Sequence, residues 1–203
     1  MKVRLLVISD IHGSDRAINP IIAAYHNHKP DLLIVNGDIT NFGTKEDAVS
    51  ILDKFPIPPL GVTGNCDQNR GISESYAEVG GVNLHLNPIE HDGIRFLGLS
   101  GSKYSSEELK EFESLAELGD IFVLHSPPYG FLDEASRGKH IGEEGLLSII
   151  EKKSPRLVLS GHVHESRGVE DDGVTIYLNP GPAMDDNLAI VDIDEDEIIP
   201  RLI

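Results

Sequence analysis

Val3-Arg4-Leu5-Leu6-Val7-Ile8-Ser9-Asp10-Ile11-His12 is the stretch that decides the fold class. Its apolar, β-branched run from Val3 to Ser9 reads as a buried strand, and it stops abruptly at an Asp and a His. Outward from it, Ser14 to His28 reads as a helix and Leu32 to Val35 as a second buried strand. Thr44 to Phe55 reads as a helix capped by Thr44, and Pro58 to Thr63 as a third short strand. Strand, helix, strand, helix, strand at this spacing predicts parallel pairing through crossover helices.

The second half is richer in strands. Val82 to Leu86 and Ile94 to Leu99 flank the turn signal Asp92-Gly93 and are expected to pair as neighbours. Ser105 to Leu118 reads as a helix with a Ser cap and acids in its first turn. Asp120 to Leu124 and Arg156 to Ser160 read as strands, with a helix from Gly142 to Lys153 between them. Val174 to Leu178, Leu188 to Ile193 and Glu197 to Leu202 complete the strands. The longest loop, Ser126 to Gly142, has a length often tied to function. No Pro/Gly/Ser linker divides the chain, so residues 1–203 are read as a single domain.

Composition narrows the partners. Lys and Arg number 17 against 34 Asp and Glu, a formal charge of −17 on 203 residues. That excess repels a phosphate backbone at long range and argues against an extended nucleic-acid partner. Trp is absent, so base-stacking platforms are not evident. Cys66 is the single cysteine, which points to a reducing, cytoplasmic setting. The opening apolar run is too short for a signal peptide or a membrane span, and no other run reaches membrane length. A homo-oligomer stays open.

The informative pattern lies at the end of each apolar strand. Asp10-Ile11-His12 comes after the first, Gly37-Asp38 after the second, and Gly64-Asn65-Cys66-Asp67 after the third. His125 comes after the strand ending at Leu124, and Gly161-His162-Val163-His164 after the strand ending at Ser160. In open α/β sheets the carboxyl ends of strands are where ligands bind. Asp, Asn and His offer oxygen and imidazole nitrogen, a set suited to Mn, Fe, Zn, Co or Ni. In extended chain, residues i and i+2 project to one side, so Asp10 can converge with His12, and His162 with His164. Each motif alone has a bland alternative, a helix cap or a turn. The ordered set of five does not.

This ordered set resembles the calcineurin-like metallophosphoesterase superfamily. His125-Ser-Pro-Pro-Tyr129, Gly161-His-Val-His-Glu165 and Asn179-Pro-Gly-Pro182 further resemble a small prokaryotic branch related to cyclic-nucleotide phosphodiesterases. The resemblance implies a four-layer αββα sandwich, two mixed β-sheets flanked by helices. It also implies two divalent transition metals, with Mn favoured. The first would take Asp10, His12, Asp38 and His164. The second would take Asp38, Asn65, His125 and His162, so that Asp38 bridges them. The implied activity is phosphoesterase chemistry on a small phosphate ester, a diester favoured, with a metal-bridging hydroxide attacking phosphorus. A nuclease, a phosphomonoesterase and a non-catalytic interaction module are the alternatives.

Three further residues bear on catalysis. Asp67 is expected to fix the Asn65 loop or a His ring from one step back, or else to be a simple turn carboxylate. Cys66 stands where many members of the superfamily carry a His that assists the leaving group. A thiol is a poorer acid and a poor hydrogen-bond donor, which favours esters whose leaving group needs little help; otherwise Cys66 is a small buried filler. His140, in the long loop with Asp133 and Arg137 nearby, is a candidate proton donor or phosphate contact, or an ordinary solvated loop residue.

Overall fold

A computed structural model describes residues 2–69 and 71–203; Met1, which opens the first apolar run, and Arg70 lie outside them. In chain order the first half comprises β1 (Val3–Ile8), α1 (Ile18–His28), β2 (Leu32–Asn36), α2 (Lys45–Leu52), β3 (Pro59–Val62), α3 (Ser75–Glu78) and β4 (Val82–Asn83). There follow β5 (Ile89–His91), β6 (Ile94–Leu99), α4 (Ser106–Leu115), β7 (Ile121–Leu124), β8 (Glu134–Ala135), β9 (Lys139–His140) and α5 (Glu144–Lys153). The chain closes with β10 (Leu157–Leu159), β11 (Gly168–Asp171), β12 (Ile176–Asn179), β13 (Ala189–Ile193) and β14 (Ile198–Leu202).

Two six-stranded sheets form the centre, in the orders β14-β13-β1-β2-β3-β4 and β11-β12-β10-β7-β6-β5. Both are mixed. β1 to β4 run parallel, while β13 and β14 join antiparallel. In the second sheet β12, β10, β7 and β6 are parallel, with antiparallel edges at β11 and β5.

The alternation of side chains explains why the strands read as unbroken apolar runs. Leu5 and Val7 of β1 and Leu32 and Ile34 of β2 point into the seam between the sheets, where they meet Phe96, Ile121, Val123, Leu157 and Leu159. Leu6 and Ile8, one residue out of phase, pack with Leu33 and Val35 beneath α1 and α2. Across the molecule Leu97, Phe122 and Val158 pack beneath α4 and α5. Each central strand is therefore covered on both faces, as parallel strands with crossover helices require. This is the expected four-layer sandwich. Both capped helices begin as the sequence predicts: Thr44 with Asp47, and Ser105 with Glu108, form reciprocal capping boxes.

One pairing expectation is corrected. Val82–Asn83 does not turn through Asp92-Gly93 into β6. It adds to the first sheet beside β3, and Ile89–His91 is the hairpin partner of β6. The chain changes sheets between Leu84 and Ile89, leaving only an isolated bridge from His85 to Gly98. Two hairpins lie beyond the sequence expectations: β11 with β12, and the short β8–β9 pair inside the long loop.

On the first sheet a buried carboxylate ties three strands. Asp192 of β13, 3% exposed, accepts hydrogen bonds from Arg4 Nε (2.6 Å) on β1 and Arg201 (3.0 Å) on β14. The Arg4 bond holds the Asp192 carboxyl below its ordinary range. A depressed pKa gives stability that is present above the unfolded value of about 3.9 and is lost as pH falls through the folded value. Asp192→Asn is expected to cost about 1–3 kcal/mol at pH 7. In urea unfolding, the gap to the native protein should narrow as pH falls below about 4. A gap independent of pH would contradict this reading.

Candidate metal centre

Five segments at the carboxyl ends of β1, β2, β3, β7 and β10 converge at the seam between the sheets. Backbone bonds lock them together. Asp10 N donates to the Gly37 carbonyl (3.1 Å), His12 N to Asp38 O (2.9 Å), and Gly161 N to His125 O (3.0 Å). Buried Asn36, the last residue of β2, joins the two sheets. Its Nδ2 donates to Ser160 O (2.9 Å), and its carbonyl lies 2.7 Å from His125 Nδ1.

Side chains can gather so closely only because the backbone gives way. A Cβ on Gly64 would strike the Asp38 carboxylate, and one on Gly161 would strike the Ser9 hydroxyl. Asp10, His12, Asp38 and His162 all adopt left-handed backbone, with φ of 54°, 50°, 50° and 64°. Such conformations in residues with a Cβ cost about 1–3 kcal/mol each and concentrate at functional sites.

The donor atoms face one another. Asp10, His12 and His164 bring ligand atoms within 4.8 Å of one another, as do Asp10, Asp38 and His125, and also His12, Asp38 and Cys66. Asp10 Oδ2 is spoken for, accepting from Ser9 Oγ (2.5 Å) and His162 N (3.0 Å). Its buried Oδ1 has no hydrogen-bond partner. It looks onto His164 Nε2 at 3.3 Å and His12 Nε2 at 3.6 Å, and those two nitrogens are 3.4 Å apart. Asp38 divides its oxygens: Oδ2 lies 3.6 Å from His12 Nε2, and Oδ1 lies 3.5 Å from His125 Nε2.

Asn65 supplies the sharpest chemical clue. The Asn36 carbonyl can only accept, so His125 Nδ1 carries the proton, and in the neutral ring Nε2 presents a lone pair. That lone pair faces Asn65 Oδ1 at 2.9 Å, while the Asn65 amide nitrogen points to Cys66 Sγ at 3.4 Å. Acceptor opposed to acceptor, beside an orphaned carboxylate oxygen, is what a cation site looks like when only the protein is considered. The residues fit a divalent metal. His162 lies beside the group, its ring 5.0 Å from that of His125.

Electrostatics agree. Burial opposes ionisation of Asp10, but nearby His12, His164 and Ser9 hold its carboxyl well below the ordinary range. Burial pushes Asp38 up, with the Asp10 charge adding to it. Burial pushes His162 down to about 4, so its imidazole is neutral and available as a ligand at neutral pH.

The remaining candidates separate. Asp67 does not face the cluster. Its oxygens accept from Ile39 N (2.9 Å), Gly64 N (3.0 Å), Thr40 N (2.8 Å) and Thr40 Oγ1 (2.9 Å), bracing the loop after β2 against the loop after β3. These contacts tie it to the loop that carries Asn65. Cys66 lies at the cluster, 7% exposed, its thiol pushed up to about 12 by burial and by Asp38. His140 lies outside the cluster on β9, exposed, with Nδ1 2.7 Å from buried Asp133 Oδ1. Sequence reasoning missed Ser9, which holds Asp10, and Asn36, which orients His125. The only signal for Asn36 was a polar residue closing an apolar strand.

Fold and cluster define a class: an α/β sandwich carrying a donor set for divalent cations at its strand ends. The profile of the calcineurin-like phosphoesterases matches residues 3–166, and the chain belongs to that family. An uncharacterized protein of Methanocaldococcus jannaschii is 30% identical over 89% of this chain and 88% of its own length. A probable glycerophosphodiester phosphodiesterase of Arcobacter nitrofigilis is 31% identical over 67% of this chain and 57% of that protein. A Thermus thermophilus crystal structure shares the fold, with a TM-score of 0.74 at 16% identity over 99% of both chains. Family membership makes the chain a phosphoester hydrolase of the metal-dependent kind. No helix among the described residues is long and apolar enough to cross a membrane.

The brace can be tested without metal. Asp67→Ala strands the buried N–H groups of Ile39, Thr40 and Gly64, at an expected cost of at least about 3 kcal/mol. Urea unfolding of the metal-free protein measures it, and an unchanged midpoint would show that something else holds the loops.

Proposed function

We propose that the chain is a dinuclear-metal phosphodiesterase for a small phosphate ester, working as one unit over residues 1–203. The observation that carries this reading is the way Asp38 splits its two oxygens between His12 and His125. One cation would be held by Asp10, His12, Asp38 and His164, and a second by Asp38, Asn65, His125 and His162. Manganese is our proposed occupant, since borderline nitrogen and hard oxygen donors are mixed. When bound, such ions supply Lewis-acid polarisation of the phosphoryl group and lower the pKa of water.

The chain's own residues do the rest. The Asn36 carbonyl fixes the His125 ring, Ser9 fixes Asp10, and Asp67 fixes the loop that aims Asn65. Hydrolysis adds the oxygen of water to phosphorus and hands a proton to the departing alkoxide. Cys66 is a poor source of that proton, because burial and Asp38 hold its thiol up at about 12. His140 is a better one. Asp133 raises its pKa and engages Nδ1, leaving Nε2 free. Its ring lies 5.5 Å from that of Tyr129, four residues past His125. Its hairpin partner Glu134 takes a hydrogen bond from Ser166, two residues past His164. The phosphodiesterase name of the Arcobacter relative supports diester over monoester. A cytoplasmic setting is part of this reading and rests on the lone cysteine.

The test is turnover of bis-p-nitrophenyl phosphate, p-nitrophenyl phosphate and cyclic nucleotides by metal-free protein supplied with Mn²⁺. The diester should be cleaved only with metal, and Asp38→Ala should lose at least about 10³-fold. His140→Ala should lose about 10²-fold on alkyl leaving groups and less on p-nitrophenolate, which needs no acid. A folded, metal-loaded sample inert to every ester, or full activity in Asp38→Ala, would refute the proposal.

A further inference from the structure

A cleft of about 420 Å³ opens directly from His12, between the lead-in to α1 and the flank of α2. Its volume lies within the range of about 300–1,000 Å³ typical of small-molecule sites. Its floor is fixed: Gly13 N donates to Ile39 O (2.9 Å), and Thr40, clamped by Asp67, forms part of the wall.

The chemistry of the lining is unusual for a ligand site. Ile51 is its one large apolar side chain, and the His12 imidazole at its inner end is the one ring in its lining. Asn41 and Ser50 face it and make no side-chain hydrogen bond among the described residues. Asp47 spends Oδ2 on capping α2 through Thr44 and keeps Oδ1. At the far end Lys54 Nζ meets Asp15 Oδ1 at 2.7 Å. Exposed pairs of this kind are screened by water and hold their partners only weakly. Both partners are therefore free to turn to a ligand.

These walls select by chemistry. An aryl or nucleobase arm would find no Phe, Tyr or Trp to stack on, and the one imidazole, His12, is a candidate metal ligand. A quaternary ammonium arm would find no aromatic cage. An anionic arm would meet two carboxylates, Asp15 and Asp47, against one ammonium. An arm bearing several uncharged hydroxyls matches alternating donors and acceptors: the amide of Asn41, the hydroxyl of Ser50, the free oxygen of Asp47 and the ammonium of Lys54. We propose that this cleft is the subsite for one uncharged, polyhydroxylated alcohol arm of the diester, the proposal resting on the phosphodiesterase reading above.

Two measurements test it. In the first, kcat/KM is compared for bis(glycerol) phosphate and bis-p-nitrophenyl phosphate in the native enzyme, Asn41→Leu and Ser50→Trp. Both side chains are exposed, so neither change threatens folding. The ratio of polyol to aryl diester should fall about tenfold in each variant, the loss of one or two hydrogen bonds. A ratio constant within about twofold would overturn the subsite. In the second, glycerol 3-phosphate is titrated into Mg²⁺-loaded native protein and amide shifts are followed by NMR. Shifts at residues 41–54 are expected, and their absence overturns the proposal. This second readout needs no turnover. An enzyme inert to all diesters that still shows these shifts refutes the function and keeps the subsite.

Discussion

Two carboxylates, Asp10 and Asp38, are buried at the seam of the sheets, and the rest of the centre is shaped by having to accommodate them. A buried charge is tolerable only when it is hydrogen-bonded and paired. The protein meets that need on one side of each group: Ser9 and the His162 amide take one oxygen of Asp10, and the Cys66 amide takes one of Asp38. The remaining oxygens face imidazoles, and the amide-bound oxygen of Asp38 faces His125 as well. Crowding so many donors around two oxygens forces close backbone approach at Gly64 and Gly161 and left-handed backbone at four ligand candidates. Strain and burial are thus consequences of one arrangement.

The sandwich makes this arrangement rigid. β1, β2 and β3 belong to one sheet, β7 and β10 to the other, so the candidate ligands are divided between two independently packed layers. A shared core of Leu5, Val7, Ile34, Ile121 and Val123 fixes the separation of those layers. Asn36 then ties their ends with one donated and one accepted bond. Packing sets the coarse spacing and the Asn36 bonds set the fine one. The net charge of −17 bears on long polyanions at the surface and not on this recessed cluster.

Much of this was legible because the signal is local. An apolar run that stops at an Asp, Asn or His, often after a Gly, announces both a buried strand and what its end carries, and all seven ligand candidates follow such runs. What was not legible depends on distance in sequence. Val82 and Ile94 flank a good turn signal, yet pairing is decided by which sheet has an open edge, and Val82 joins β3 instead. The role of Asp67 is written in four donors, three of them 27 or 28 residues away. The behaviour of Cys66 follows from burial beside Asp38, which a sequence does not display. The β8–β9 hairpin is two residues per strand, too short for any period to reveal.

The central claim is that this cluster is two cation sites sharing Asp38. Its most direct test is the count of tightly bound divalent ions per chain, by elemental analysis after dialysis against Mn²⁺ and removal of free metal. The account predicts two per chain in the native protein, and fewer than two in a folded Asp38→Asn variant. One ion or none in the native protein, or two retained without the Asp38 carboxylate, would contradict it.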